Sequence, residues 1–272
     1  MDDNVLTPQT WSEVYDALFK DTYNERIGRY KSRFAFRGVS NHEYPLSTSL
    51  MRLKGDFARV EFHLLRQFKK YAHTDLQEKG NDWYWLSVGQ HHGLPTRLLD
   101  WSYSPDVALH FATVNTNSYD KDGAVWKVNY KKAHQELPPV LKGYMEEHGS
   151  WILTTEILDT LVPDLRTLDD KGGKTEFVLF YEPPSIDQRI YNQFGYFSIG
   201  SRSDLLIDKW LESRPEYWQK VIIPHHLKWE IRDKLDQSNI SERILFPGLD
   251  GLAQWLKRYY LPTSETDTKC DA

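Results

Sequence analysis

The stretch Gln90-His-His-Gly-Leu-Pro-Thr-Arg-Leu-Leu-Asp-Trp-Ser-Tyr-Ser-Pro-Asp-Val-Ala-Leu-His-Phe-Ala112 decides how this chain is read. It gathers two histidines, a threonine, an arginine, an aspartate and a serine around one turn. That turn feeds a helix with a strong start: Ser104 as N-cap, Pro105 at the first helical position and Asp106 in the first turn. A buried polar group costs free energy unless it is paired. So many polar side chains between apolar ones therefore read as the wall of a site.

Working outward, the spacing predicts a helix from Asp82 to about His92, ended by Gly93 in a left-handed conformation. Asp56 caps a helix whose stripe is Phe57, Val60, Leu64, Leu65 and Phe68. Arg33 to Gly38 alternates as a short strand does, and Thr10 with Glu13 starts a helix through about Leu18. Downstream, Ala124–Asn129 reads as a strand. Residues 133–170 read as short helices broken by Pro138, Pro139 and Pro163, and Lys171–Lys174 as a loop. Glu176–Tyr181 and Gly195–Ile199 read as strands. Beyond Arg202 the pattern is helical, at Leu205–Leu211, Leu227–Leu235 and Leu249–Tyr260. Regular βαβ alternation is missing, as are GxGxxG and GxxxxGK[ST], the two common phosphate-cradling loops. The expectation is an α+β fold with a central, mostly antiparallel sheet. It would comprise a helical segment at 1–30, one domain over 31–262 with a helical C-terminal part, and a disordered tail at 263–272.

With 272 residues and 40% of them hydrophobic, the chain can bury a substantial core. Ten tryptophans and sixteen tyrosines are core material, but they are also flat surfaces on which a base or nicotinamide can stack. A net charge of −5 gives no global attraction to nucleic acid, so any such contact must use a local basic patch. The lone Cys270 excludes a disulfide framework and a cysteine zinc site. The acidic start Met-Asp-Asp-Asn is no signal peptide, and no apolar run reaches the roughly 20 residues a membrane span needs. A cytoplasmic protein with no membrane partner is expected.

Several side chains could carry chemistry. Arg37, ending a strand before Gly38, can project a guanidinium suited to bidentate phosphate binding; its plain alternative is a pair with Asp100. Gly38 permits close approach of another backbone or of a ligand. Arg97 and Asp100 are near enough for a local ion pair. Ser102 sits before the Ser104 cap, where helix N–H groups favour an anion. Gln193 can hydrogen-bond a ribose hydroxyl but is no strong base. Glu176 and Glu182 are acidic alternatives on a strand that can face elsewhere. Glu61 reads as a salt-bridge partner of Arg52 or Lys54. His91-His92 and His225-His226 lack the i, i+4 spacing of a helical metal pair, and no metal is expected. The second pair reads as surface, and Ser47-Thr48-Ser49 as an ordinary turn.

Together these residues resemble the FRG domain family, whose motif stands here as Phe36-Arg37-Gly38. The match continues through Tyr44-Pro-Leu, Ser49-Leu-Met-Arg52, Glu61–Phe68, Gln90–Trp101, Asp122-Gly-Ala-Val-Trp126, Arg189-Ile-Tyr-Asn-Gln193 and Leu245–Leu252. It covers roughly residues 33–257. A second resemblance, to ADP-ribosyltransferases, bears on chemistry. Phe36-Arg37-Gly38 is similar to their aromatic-Arg-Gly strand. Asp100-Trp-Ser102 with Ala108-Leu-His-Phe-Ala112 is similar to their second strand and helix. Asn192–Phe197 falls where their glutamate strand would be. This resemblance implies a sheet split around a cleft and flanked by helices, with Arg37, Ser102 and Gln193 as catalytic residues. It further implies NAD as substrate, held by Arg37, Gly38, Gln90, His91, Thr96, Arg97, Asp100 and Trp101.

Gln193 would stand where the glutamate is expected, keeping a hydrogen bond but losing the charge. Another acid then contributes, or the acceptor nucleophile is intrinsically reactive, or turnover is low. The implied activity is transfer of ADP-ribose to RNA, DNA or protein, suited to a toxin or anti-phage effector with an antitoxin partner. A non-catalytic nucleotide- or nucleic-acid-binding module is the alternative. A nuclease using the histidines is disfavoured, because carboxylate pairs at metal spacing are missing.

Overall fold

The computed structural model describes residues 3–72, 80–173, 175–185 and 188–261, so the expected tail at 263–272 lies outside the described residues. The strands are β1 (Val5–Leu6), β2 (Tyr23–Asn24), β3 (Arg29–Tyr30), β4 (Phe34–Val39), β5 (Leu98–Ser102), β6 (Gly123–Asn129), β7 (Leu153–Thr154), β8 (Val178–Glu182), β9 (Gly195–Gly200) and β10 (Trp218–Ile223). The helices are α1 (Trp11–Phe19), α2 (Phe57–Ala72), α3 (Asp82–His91), α4 (Pro105–Thr113), α5 (Tyr130–Ala133), α6 (Pro139–His148), α7 (Thr155–Leu161), α8 (Leu165–Gly172), α9 (Gln188–Asn192), α10 (Ile207–Glu212), α11 (Lys228–Gln237), α12 (Glu242–Leu245) and α13 (Leu249–Tyr259).

Among the described residues, eight strands form one sheet in the order β1-β10-β6-β4-β5-β9-β8-β7, and β2 with β3 makes a separate hairpin. Only the outermost pairs, β1–β10 and β7–β8, are parallel. This is the mostly antiparallel α+β fold expected. The middle of the sheet is its distinctive feature. β4 runs beside β6 from Phe34↔Asn129 to Val39↔Ala124, and β5 runs beside β9 from Leu98↔Ile199 to Ser102↔Gly195. Between β4 and β5 the only register pair is Phe36↔Ser102. The sheet is thus two four-stranded halves joined at one point, and it opens toward Gly38 and Asp100.

Strand alternation sorts the core. Leu99, Trp101, Phe180 and Tyr196 pack on one face with Trp126 and Trp218. Leu98, Leu179, Phe197 and Ile199 pack on the other, under α2, α3 and the short helices of the middle third. Phe34, Phe36, Val125 and Val221 join Ala108, Leu109 and Ile231 in a third cluster. α4 lies directly on β4. A Cβ at residue 38 would stand 1.8 Å from the Ala108 carbonyl oxygen and 2.6 Å from the Ala112 nitrogen. Gly38 therefore serves helix–strand contact, the first of its two expected uses, and the small Ala108 and Ala112 complete the fit.

Five readings of the sequence change. The segment beyond Arg202 is not helical throughout: Trp218–Ile223 is strand β10, paired with β6. The first thirty residues hold α1 as expected, but Val5–Leu6 joins the sheet beside β10. Leu98–Ser102, within the expected turn, is strand β5, consistent with the strand the second resemblance implied. The helix α8 continues through Gly172, shortening the expected loop at 171. On α2, Val60 is exposed and Glu61 takes the buried position instead.

The C-terminal helices are fastened by charge. Arg258 on α13 donates to Glu242 at 2.6 and 2.8 Å and to Asp236 at 2.7 and 2.9 Å. Arg232 reaches Glu242 at 3.3 Å and donates to His110 Nδ1 at 2.8 Å. Burial first, then the Arg232 charge, pulls the His110 pKa from 6.5 to about 3. Hydrogen bonding to Arg258 and the charge of Arg232 outweigh burial and hold Glu242 at about 2, below its ordinary 4.5. Both folded pKa values are depressed, so the unfolded chain binds more protons in acid and stability falls with pH. His110 should contribute this loss between pH 6.5 and about 3, and Glu242 between 4.5 and about 2. Thermal melting is expected to show Tm falling across both windows, and a flat Tm from pH 6.5 to 3 would contradict this account.

Candidate active site

The break in the sheet is the floor of a cleft of about 230 Å3. Its walls come from four places: Arg37 and Gly38 on β4, Gln90 and His91 at the end of α3, Asp100 to Ser102 on β5, and Arg189 to Gln193 around α9. Ala108 and Phe111 of α4 close one side, and Gly195 and Phe197 of β9 lie beneath. Arg37, Ser102 and Gln193, far apart in sequence, line this one cleft.

Arg37 bridges the two halves of the sheet. Its Nη1 donates to the Asp100 carbonyl oxygen at 2.5 Å and lies 3.9 Å from the Asp100 carboxylate. Its Nε is buried and has no protein partner among the described residues. Burial pulls the guanidinium below its ordinary pKa, Asp100 pulls it back, and Arg52 adds to the lowering. Asp100 is open to solvent, with its side chain 60% exposed, so the expected pair with Arg37 is loose and the carboxylate stays accessible from the cleft.

Gln90 is held from both ends of its amide. Its Oε1 accepts from Thr96 Oγ1 at 2.6 Å, and its Nε2 donates to Asp100 Oδ2 at 2.9 Å. The amide orientation thus follows from the Thr96 hydroxyl, which is fully buried. Thr96 is fixed in turn by Ser49, whose Oγ donates to the Thr96 carbonyl at 3.2 Å and accepts its N–H at 3.0 Å. Ser47 and Thr48 are extended or irregular and the expected turn begins only at Ser49, but the segment is structural, and Ser49 steadies the loop that carries the site.

Ser102 Oγ donates to the Gln193 carbonyl oxygen at 2.8 Å and accepts the Ser104 N–H at 3.0 Å. Ser104 in turn caps α4 by accepting from the Val107 N–H. Gln193 follows α9, just before β9, and its Nε2 donates to the Leu245 carbonyl oxygen at 3.0 Å. Asn192 grips the Ile244 carbonyl in the same way at 2.7 Å. The short helix α12 therefore sets the position of Gln193, and no donor among the described residues reaches its Oε1.

Two of the expected ligand-binding residues lie outside the cleft. Arg97 does not pair with Asp100. It is buried, with Nε 2.7 and 2.9 Å from the two Glu61 oxygens and Nη1 2.5 Å from Asp169 Oδ1. Glu61 accordingly has Arg97 as partner, not Arg52 or Lys54. Thr96 acts on the cleft only through Gln90. Trp101 borders the cleft, but its ring packs on Phe180 and its Nε1 donates to Ser198 at 2.7 Å. Glu182 accepts from the Tyr103 hydroxyl at 2.7 Å, and Glu176 lies 3.6 Å from Arg202. Neither lines the cleft, whose one carboxylate among the described residues is Asp100.

The sequence reading passed over Phe111 and Arg189. The Arg189 guanidinium stacks over Phe246 at 4.8 Å and gives the cleft a second cation. Its signal was present, since it opens the polar cluster that contains Gln193. His225 and His226 are exposed, as expected, with His225 bound to Asp122 at 2.9 Å.

The candidate site of this α+β protein is thus a cleft opened at a break in an antiparallel sheet, with Arg37, Arg189 and Asp100 as its charged lining among the described residues. Residues 32–121 match the family model of the FRG domain. The match contains Arg37, Asp100 and Ser102. The sheet extends beyond it, because β6 to β10 follow residue 121 and Gln193 precedes β9. No curated protein and no solved structure matches the chain. No helix among the described residues is long and apolar enough to cross a membrane.

Proposed function

We propose that this protein is an ADP-ribosyltransferase that uses NAD to modify a macromolecule. The observation that carries the reading is the convergence of Arg37, Ser102, Gln193 and Asp100 at the break in the sheet. Arg37 offers an unpartnered buried Nε and Arg189 a second cation, both suited to a pyrophosphate. The cleft is smaller than the roughly 300–1,000 Å3 of pockets that enclose drug-sized ligands. It therefore takes the nicotinamide riboside end, and the adenosine lies across the open rim. Phe111 and Phe197 supply apolar wall for the nicotinamide. Gln193 Oε1 accepts from a ribose hydroxyl. In the reaction the bond from ribose C1′ to the nicotinamide nitrogen breaks, and its electron pair neutralises the pyridinium. The acceptor nucleophile then bonds to C1′ and releases a proton. Positive charge developing on the ribose faces the Asp100 carboxylate, which takes the part that Gln193 cannot.

A second reading is favoured by one observation: Ser102 spends its hydroxyl proton on the Gln193 carbonyl, and Gln193 its amide on Leu245. A cleft so fastened also suits a module that binds a nucleotide without turning it over.

Incubation with NAD labelled in the adenylate, followed by nicotinamide detection and fractionation of lysate RNA, DNA and protein, separates the two. Nicotinamide release and label transfer, both lost in Arg37→Ala, are expected. Binding without release would leave only the second reading. An activity of this kind suits a toxin or anti-phage effector of the cytoplasm, restrained by an antitoxin. Induced expression alone is then expected to stop growth, and Arg37→Ala to restore it.

A further inference from the structure

A second concavity lies where the β2–β3 hairpin meets α5 and the segment before β7. Arg26, Lys31 and Arg33 face it from the hairpin side, and Lys131 and Lys132 from α5. Two contiguous recesses of about 420 and 320 Å3 share Asn24, Arg26, Arg33, Lys131 and Trp151, and neither is lined by a carboxylate among the described residues. Asp21, Glu25 and Glu216 enter only at the neighbouring, wider recess of about 560 Å3. No ion pair joins Arg26, Lys31, Arg33 or Lys131 to an acid among the described residues. On a chain of net charge −5 this is a local concentration of uncompensated cations.

The cations sit among exposed flat side chains. Lys131 Nζ lies 5.2 Å from the Trp151 ring, which is exposed. Tyr23 and Tyr30 pair across the hairpin with ring centres 5.1 Å apart, and both are more than half exposed. Left-handed Gly28 turns the hairpin and keeps these groups on its outside. Exposed aromatics gathered in one place mark interaction sites, and here they flank cations that no acid neutralises among the described residues. Burial, with Arg33, Lys31 and Arg26 nearby, draws the Lys131 pKa below its ordinary value, as a crowded positive field requires.

We infer that this groove binds single-stranded nucleic acid, with Arg26, Lys31, Arg33 and Lys131 on phosphates, and Trp151 with Tyr23 at the wide end stacking on unpaired bases. An acidic protein segment would satisfy the cations but leave the aromatic faces without a use. Phe34 borders the wide end of the groove and Arg37 the cleft. They stand three positions apart on β4, a rise of about 10 Å, with their side chains on opposite faces of the sheet. On the transferase reading, a bound strand long enough to pass from one face to the other is the acceptor of ADP-ribose; the binding itself does not depend on that reading.

The test measures binding of a fluorescent twenty-nucleotide oligo(U) to the full chain, without NAD, at several salt concentrations. Affinity is expected to fall at least tenfold in Arg26→Glu/Arg33→Glu. The slope of log affinity against log salt should shrink by about 1.4, two contacts at roughly 0.7 each. Trp151→Ala is expected to lower affinity by about fivefold or more with the slope unchanged, the mark of stacking. The charge pair is exposed, and an unchanged melting temperature checks the fold. Binding unaffected by the charge reversal would overturn the inference. So would equal competition by poly-glutamate of matched length, which would assign the groove to acidic protein. Nicotinamide release in a chain that fails to bind oligo(U) would leave the transferase reading intact, and oligo(U) binding without release the reverse.

Discussion

Asp100→Asn is expected to lower nicotinamide release from NAD by about 100- to 1,000-fold, the usual loss when one preorganised electrostatic group is removed from a reacting centre. The substitution is nearly isosteric. The new amide keeps an oxygen to accept from Gln90 Nε2, and the Arg37 bridge uses the main-chain carbonyl of residue 100, which the change leaves in place. Geometry is preserved and one negative charge is lost, so the effect falls on turnover more than on NAD affinity. Glu182→Gln is the control, because Glu182 is bound by Tyr103 and does not line the cleft. Release falling in Glu182→Gln but not in Asp100→Asn would mean that the cleft's carboxylate is not the charge that matters. Equal binding and equal release in both variants would remove Asp100 from the chemistry.

This expectation could not be drawn from sequence alone. The sequence offered Asp100, Glu176 and Glu182 as acids, and only the strand directions decide among them. Asp100 and Ser102 lie on one face of β5, while Trp101 between them lies on the other. The local pair of Arg97 with Asp100 failed for a related reason. Read as a turn, residues three apart can meet; at the entry to an extended strand they point to opposite sides. The capping signals around Ser104 and Thr10 needed no such knowledge, since they are local, and both helices start where they predict. Strand β10 was overlooked among helical segments, although Val221-Ile-Ile223 is a β-branched run of the kind a buried strand uses. The three residues of the candidate site were legible through resemblance and not through periodicity. The basic groove was not legible by either route. It joins residues 24–33 to 131–151, and only the pairing of β4 with β6, Phe34↔Asn129, brings the two segments together.

The largest effect on stability is expected at Arg97. Arg97→Met leaves Glu61, whose side chain is 1% exposed, as a buried carboxylate without a counter-ion. Breaking a buried pair from one side costs about 3–5 kcal/mol, which for a chain of this size lowers Tm by roughly 6–20 °C. Glu61 and Asp169 together hold the Arg97 guanidinium charged, well above its ordinary pKa, against the burial that opposes it. Asp169 is the lesser partner, being 35% exposed and able to turn to water. Removing both buried charges is a different perturbation. Arg97→Met/Glu61→Met replaces the ion pair with apolar volume, and such replacements are often neutral or stabilising. The double variant should therefore recover at least half of the stability lost by Arg97→Met, as measured by urea unfolding. The single variant should also release NAD-derived nicotinamide more slowly at temperatures where it remains folded. Arg97 follows Thr96, the residue that aims Gln90 at Asp100. A double variant no more stable than the single one would mean that shape, and not the unpaired charge, sets the cost at this position.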